Sequence, residues 1–151
     1  MEKLLLKRTI TDVCKRIKQE TLQSLRSEIA DYQESANQYG QAKDRYDSFR
    51  EQVANKRDML VQQYQKVQEE INLLDRINLE RECEYGGFGC VVVTPLQKVF
   101  ISIGIGKITL DDGSVYYAIS AVVPFAKAVK EHKKGDHFEF NGKKMEIIDL
   151  F

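Results

Sequence analysis

The first eighty residues contain one glycine, Gly40, and no proline. Glycine and proline are the residues that break helices, so their near absence leaves no local reason for the backbone to abandon helical geometry. The apolar residues follow a helical rhythm. One stripe runs Leu22, Leu25, Ile29, Tyr32, Ala36, Tyr39 in steps of three and four, and Ile10, Cys14 and Ile17 extend it toward the N-terminus after one phase slip. A second stripe runs Tyr46, Phe49, Val53, Leu60, Tyr64, Val67, Ile71, Leu74. Such narrow stripes suit coiled-coil packing, in which one seam is dry and the rest of the surface is solvated.

The two stripes mirror each other. A turn between Ala42 and Lys43 makes facing residues carry numbers that total about 85. Tyr39 with Tyr46, Ala36 with Phe49, Tyr32 with Val53, Leu25 with Leu60, and Cys14 with Ile71 satisfy that rule, while Ile29 faces Lys56 in a weaker layer. Gly40 stands where the helix has to break. The pattern predicts an antiparallel helical hairpin whose arms are about 30 residues, or roughly 45 Å, long. One continuous helix that dimerises is the competing arrangement. The glycine and the mirror favour the hairpin.

From residue 81 onward the grammar changes. This part holds eight glycines and both prolines, Pro95 and Pro124, and it is rich in Val, Ile and Phe. The shift places a boundary near Cys83 to Gly87 and divides the chain into residues 1–82, helical, and 83–151, β-rich. Strands are expected at Gly89–Thr94, Lys98–Ile103, Lys107–Leu110, Val115–Ser120, His137–Phe140 and Met145–Leu150. Asp111-Asp112-Gly113 and Asn141-Gly142 are hairpin turns, and Pro124 opens a short helix to about Glu131. The fold class is therefore α+β: a long antiparallel helical hairpin, then a small, mostly antiparallel sheet with one helix on it.

Composition excludes several functions. Lys and Arg together equal Asp and Glu at 23 each, so bulk charge argues for neither a nucleic-acid nor a membrane partner. There is no run of ~18 apolar residues, and MEKLLLKRT is too short a core for a signal peptide. A cytoplasmic, monomeric protein is expected. Cys14, Cys83 and Cys90 lack metal-type spacing and read as reduced thiols, although Cys83 and Cys90 are close enough in sequence to pair on oxidation.

Enzyme-like constellations are weak. His132 and His137 flank a turn with no triad context and read as surface residues. Gly104-Ile105-Gly106 lacks the third glycine of a dinucleotide loop, and Gly86-Gly87-Phe88-Gly89 lacks the Lys-Ser/Thr of a phosphate cradle and reads as linker. The hairpin tip carries the remaining chemistry. Asp44 and Asp47 are three apart and share a helix face, pointing away from the seam occupied by Tyr46. Two carboxylates supply part of a Mg²⁺ coordination shell; helix capping is the alternative role for them. Lys7, Arg8, Lys15, Arg16, Lys18 and Arg26 line the first arm as a solvated basic face, or as a guide for RNA or polymerase.

Ile119-Ser120-Ala121, Pro124, Ala126-Lys127-Ala128, Lys133-Lys134-Gly135-Asp136 and Ile147 fall in one order. That order resembles the Gre family of bacterial transcript-cleavage factors, which have a helical hairpin followed by an FKBP-like domain. Here His132 precedes the lysine pair where the family usually has glycine. The family's tip pattern G-D-L-x-E-N is similar to Lys43-Asp44-Arg45-Tyr46-Asp47-Ser48, with Asp47 in the glutamate position and the leading Gly and the Asn absent. Asp31 and Glu34 keep the acid identities in a rival alignment that sets them on the shaft. Compact Gre-like proteins are sometimes labelled 3-oxoacyl-ACP synthases, but no Cys/His thiolase constellation supports such a label here.

The resemblance implies a transcription elongation factor with no complete active site of its own. It would dock on RNA polymerase, insert the hairpin into the secondary channel, and lend Asp44 and Asp47 to a shared Mg²⁺ for cleavage of backtracked RNA. Contact with nascent RNA, and the DNA binding that accompanies transcription factors, belong to the same implication. A regulator that occupies the channel without cleavage is the second reading. A peptidyl-prolyl isomerase or chaperone is the third, with Phe88, Phe100, Tyr116, Tyr117, Phe125, Phe138 and Phe140 expected to serve as core instead of as a binding pocket.

Overall fold

The structure, a computed structural model, describes the backbone of residues 2–38 and 47–151 and the side chains of 2–35 and 48–151. Two helices come first, α1 (Glu2–Gln38) and α2 (Asp47–Asp75). The strands are β1 (Val91–Val93), β2 (Lys98–Ser102), β3 (Gly106–Thr109), β4 (Val115–Ser120), β5 (His137–Phe140), β6 (Lys143–Glu146) and β7 (Asp149–Leu150), with the short helix α3 (Pro124–Val129) between β4 and β5. The α+β class expected from the sequence holds. The chain packs as two compact units, Ile17–Ile71 and a second made of Met1–Arg16 together with Asn72–Phe151.

The helical unit is a pair of antiparallel helices. Lys18 meets Glu70 at 3.3 Å, Lys56 sits over the Tyr32 ring, and Arg26 donates to the Tyr64 hydroxyl at 2.9 Å. These partners run in opposite directions along the two helices, as a hairpin requires. Their numbers total 88 to 90, about one helical turn beyond the expected 85. The mirror exists but is shifted. The dry seam is thin: Leu25, Val67 and Ile71 form its buried cluster, flanked by Leu22, Leu60 and Tyr64.

The second unit is a covered sheet with strand order β3-β4-β2-β1-β7. β2 and β4 run parallel and the other neighbours antiparallel. The continuous apolar runs in β1 and β2 have a direct cause, because both faces of the sheet are buried. One face carries Val91, Phe100, Ala118, Tyr116 and Ile108, which pack against Ile10 and Cys14 of α1, Leu74 of α2 and Ile77 just after it. The other carries Val92, Val99, Ile101 and Leu150, which pack against Phe125, Ala126 and Val129 of α3 and Phe138 and Met145 of the β5–β6 hairpin. The expected single covering helix therefore accounts for one face. The first turns of α1 and the last turn of α2 cover the other.

Asn141 and Gly142 both take positive φ, 52° and 75°, as a two-residue hairpin turn requires. The expected strand Met145–Leu150 divides at Ile147 and Ile148 into β6 of the two-stranded sheet and β7 of the large one. The amides of Ile147 and Ile148 bond to Asp136 O and Val93 O, one in each layer.

Candidate functional site

Asp44 lies outside the described residues. Asp47 is the first residue of α2, and its side chain lies outside the described set. Asp31 and Glu34 are exposed on α1. Among the described residues no three His, Cys, Asp or Glu side chains come together as a metal centre.

The residues that carry the family resemblance build the passage from β4 to β5. Ser120 Oγ accepts from the Val122 amide, and Pro124 occupies the first turn of α3. Ala126 is buried against the sheet. The Lys133 amide donates to Asp136 Oδ2 at 2.9 Å, and Gly135 takes φ +89°, a left-handed conformation that favours glycine. These roles are structural, so the motif speaks for the fold.

Of the basic residues of the first arm, Arg8, Arg16 and Arg26 are exposed, as a solvated face requires, and Lys15 and Lys18 are half-buried. Arg8 pairs with Glu80 at 2.5 Å and Lys15 with Asp75 at 2.8 Å, while Lys18 and Arg26 have the partners already named. Lys7 departs furthest from expectation, since only 1% of it is exposed. Its Nζ donates to Arg81 O at 3.2 Å and stands 3.7 Å from Cys83 Sγ. Burial pushes the Lys7 ammonium below the ordinary lysine range, and the Glu82 carboxylate opposes that shift. The signal for this placement is available in the sequence: Lys7 falls three before Ile10 and seven before Cys14, on the apolar face of α1.

Cys83 and Cys90 are disulfide-bonded, which corrects their reading as reduced thiols. Their Cα atoms are 5.8 Å apart, within the span a disulfide bridges. The intervening Gly86-Gly87-Phe88-Gly89 is more than a linker. Gly86 N donates to His132 O and Gly86 O accepts from Glu131 N, a two-bond clamp on the loop after α3. A Cβ at Gly86 would collide with the Val129 carbonyl, so only glycine fits this close approach. Gly89 N donates to Ile101 O, fixing the other end of the segment to β2.

The chain termini meet through charge. Lys3 Nζ donates to Asp149 Oδ1 at 2.9 Å, and Lys134 lies 3.7 Å from the same oxygen. Burial pulls the Asp149 carboxyl upward, but the Lys3 hydrogen bond, the Leu150 amide and the two lysine charges together hold it below the ordinary range.

The aromatic residues divide between core and surface. Phe100, Tyr116, Phe125 and Phe138 are buried, and Phe125 makes edge-on contacts with Phe138 and Phe140 at 5.6 and 5.2 Å. Phe88 and Tyr117, expected in the core, are 40% and 37% exposed. Phe88 sits on the disulfide-bracketed loop, and Tyr117 alternates outward from Tyr116 and Ala118 along β4.

No model of a known protein family matches the chain, and no curated protein matches it. Two solved structures are similar to it over most of its length. One, described as the transcription factor Gfh1, is 17% identical with a TM-score of 0.37, covering 91% of this chain and 93% of that one. The other, GreA factor homolog 1 (Gfh1) of Thermus thermophilus, is 18% identical with a TM-score of 0.33, covering 91% of this chain and 94% of that one.

Proposed function

We propose that the chain is a Gre-type accessory factor of bacterial RNA polymerase. In this reading the sheet unit docks on the polymerase, and the helical pair enters the secondary channel with Asp44 and Asp47 at its far end. The observation that carries the reading is the helical unit itself. Within this unit α1 ends at Gln38 and α2 begins at Asp47, and among the described residues the buried cluster is Leu25, Val67 and Ile71. The described side chains of this unit form a narrow seam between two helices, with no sheet or third element packed on it. It suits an arm whose useful property is length, about 44 Å for the 29 residues of α2 at 1.5 Å each.

The chemistry follows from two-metal phosphodiester cleavage. A second Mg²⁺ would supply charge stabilisation to the attacking and leaving oxygens, and acids delivered from outside would complete its shell. Asp44 and Asp47 are the groups of this chain that would hold the ion. Asp47 is one methylene shorter than the family's glutamate, so its reach to the ion is the weak point of cleavage.

The test uses full-length protein and stalled elongation complexes. The protein should accelerate endonucleolytic cleavage of backtracked RNA. The double substitution Asp44→Ala with Asp47→Ala should reduce that acceleration by roughly tenfold or more, while polymerase pull-down is unchanged. Unaltered cleavage in the double variant would move the site to Asp31 and Glu34. Binding without cleavage by the unsubstituted protein would instead identify a non-cleaving channel regulator, the reading favoured by the absent Gly and Asn at the tip.

A further inference from the structure

Lys7 is a buried cation beside a sulfur atom, within the unit that contains both. Its Nζ is 3.7 Å from Cys83 Sγ and 3.2 Å from the Arg81 carbonyl. The two cysteines are unequal. Cys90 is 2% exposed and packs in the core beneath α3. Cys83 is half-buried and lines a cavity of about 210 Å³ with Lys7, Asn78, Glu82 and Phe88. A small reagent therefore reaches one sulfur and not the other. The charged groups around that cavity are Lys7 from α1 and Arg81 and Glu82 from the segment after α2.

We propose that Cys83 and Cys90 are a reversible redox pair, with Cys83 the peroxide-reactive thiolate held by Lys7 and Cys90 the resolving thiol. A cation near a thiol favours the thiolate, which is the nucleophilic form. In the oxidising direction, Cys83 thiolate attacks a hydroperoxide. The O–O bond breaks, water or an alcohol leaves after protonation, and Cys83 becomes a sulfenic acid. The Cys90 thiol then attacks that sulfur, the S–O bond breaks, and a second water leaves as the disulfide forms. Two thiols and one hydroperoxide thus give one disulfide, one water, and one further water or alcohol.

A dithiol reverses the process. One thiolate of the dithiol attacks Cys83 Sγ through the cavity, and Cys90 leaves and takes a proton. The second thiol of the reagent displaces Cys83, again as a thiolate beside Lys7. The surrounding backbone suits repeated cycling. Gly86 is clamped to the loop after α3 and Gly89 to β2, so the reduced sulfurs stay within reach of each other. Lys7 also holds Arg81 O, which anchors the chain just before Cys83.

The full-length protein tests this. Reduced with a dithiol and then given hydrogen peroxide, the folded protein should re-form the Cys83–Cys90 disulfide, read by mass as the loss of two hydrogens. With Cys90→Ser, dimedone should trap a sulfenic acid on Cys83; with Cys83→Ser, Cys90 should stay unlabelled. Lys7→Met should slow peroxide oxidation at pH 7 by roughly threefold, the net of a smaller thiolate fraction and a more nucleophilic thiolate. Where Lys7→Met fails to fold by circular dichroism, the pH dependence of Cys83 alkylation in Cys90→Ser serves instead. Its midpoint should fall below about 8.5, the ordinary cysteine value. A disulfide that resists dithiol in the folded protein, dimedone labelling of Cys90 instead of Cys83, or a midpoint at or above the ordinary value would each overturn the proposal.

Discussion

Replacing Ile10 by Ala tests whether the start of α1 belongs to the core of the sheet unit. Ile10 is fully buried among Val91, Phe100, Tyr116 and Phe151, far from it in sequence. The substitution removes three carbons, worth about 2.4 kcal/mol at ~0.8 kcal/mol each. A residual cavity of roughly 50–70 Å³ adds about 1.2–1.7 kcal/mol at ~24 cal/mol per Å³. A loss of about 3–4 kcal/mol is therefore expected where the core does not collapse into the space. Urea unfolding gives the total, and amide hydrogen exchange locates it. Protection in β2 and β4 should fall by the same free energy, because their side chains line the same cluster. Leu25→Ala is the internal control. It lies in the separate cluster of the helical unit and should reduce protection in α1 and α2 with little change in β2 and β4. A loss under about 1 kcal/mol for Ile10→Ala, or unchanged exchange in β2 and β4, would refute the assignment of these first turns to the sheet.

Gly86→Ala should destabilise the sheet unit by on the order of 3 kcal/mol in urea titration, since the added Cβ meets a backbone carbonyl that cannot swing away. Gly87→Ala meets nothing within 4 Å and should stay within about 0.5 kcal/mol of the parent. Asp149 has a depressed carboxyl pKa, so the unfolded chain binds its proton more readily. Its contribution to stability is present above the unfolded value, about 3.9, and is lost as pH falls through the lower folded value. Asp149→Asn should therefore flatten the acid limb of a stability-against-pH curve below about pH 4, and an unchanged limb would show that other carboxylates govern it.

The parts of the fold that were legible in the sequence are those set by local chemistry. Helical periodicity without breakers identified both helices, and Asn141-Gly142 fixed a turn whose two positive φ values few other pairs tolerate. The register of the helical pair was legible only to within a turn, because periodicity gives the face of a helix but not the height of its partner. The placement of Lys7 was missed by reading charge before phase. Its position on the apolar face was visible, but its electrostatic compensation comes from Arg81 O and Glu82, more than seventy residues later. The second covered face of the sheet was also out of reach of local pattern. The runs in β1 and β2 say that both faces are buried without naming what covers them. For the candidate site, the acids at Asp44 and Asp47 rest on sequence alone, whereas the Lys7–Cys83 pair arises only from folding.

The sheet unit is discontinuous in sequence, with residues 17–71 interposed between its two parts. During synthesis Ile10 and Cys14 leave the ribosome long before the strands that bury them. Closing a loop of 55 residues from an open coil costs roughly 3.5 kcal/mol by the logarithmic rule, before any constant. Pairing of the two helices brings Arg16 and Asn72 into one neighbourhood through contacts that accumulate one layer at a time, and so removes much of that entropy in advance. The arm then acts as a folding clasp as well as a structural element. Substitutions that weaken its seam are expected to slow maturation of the sheet unit.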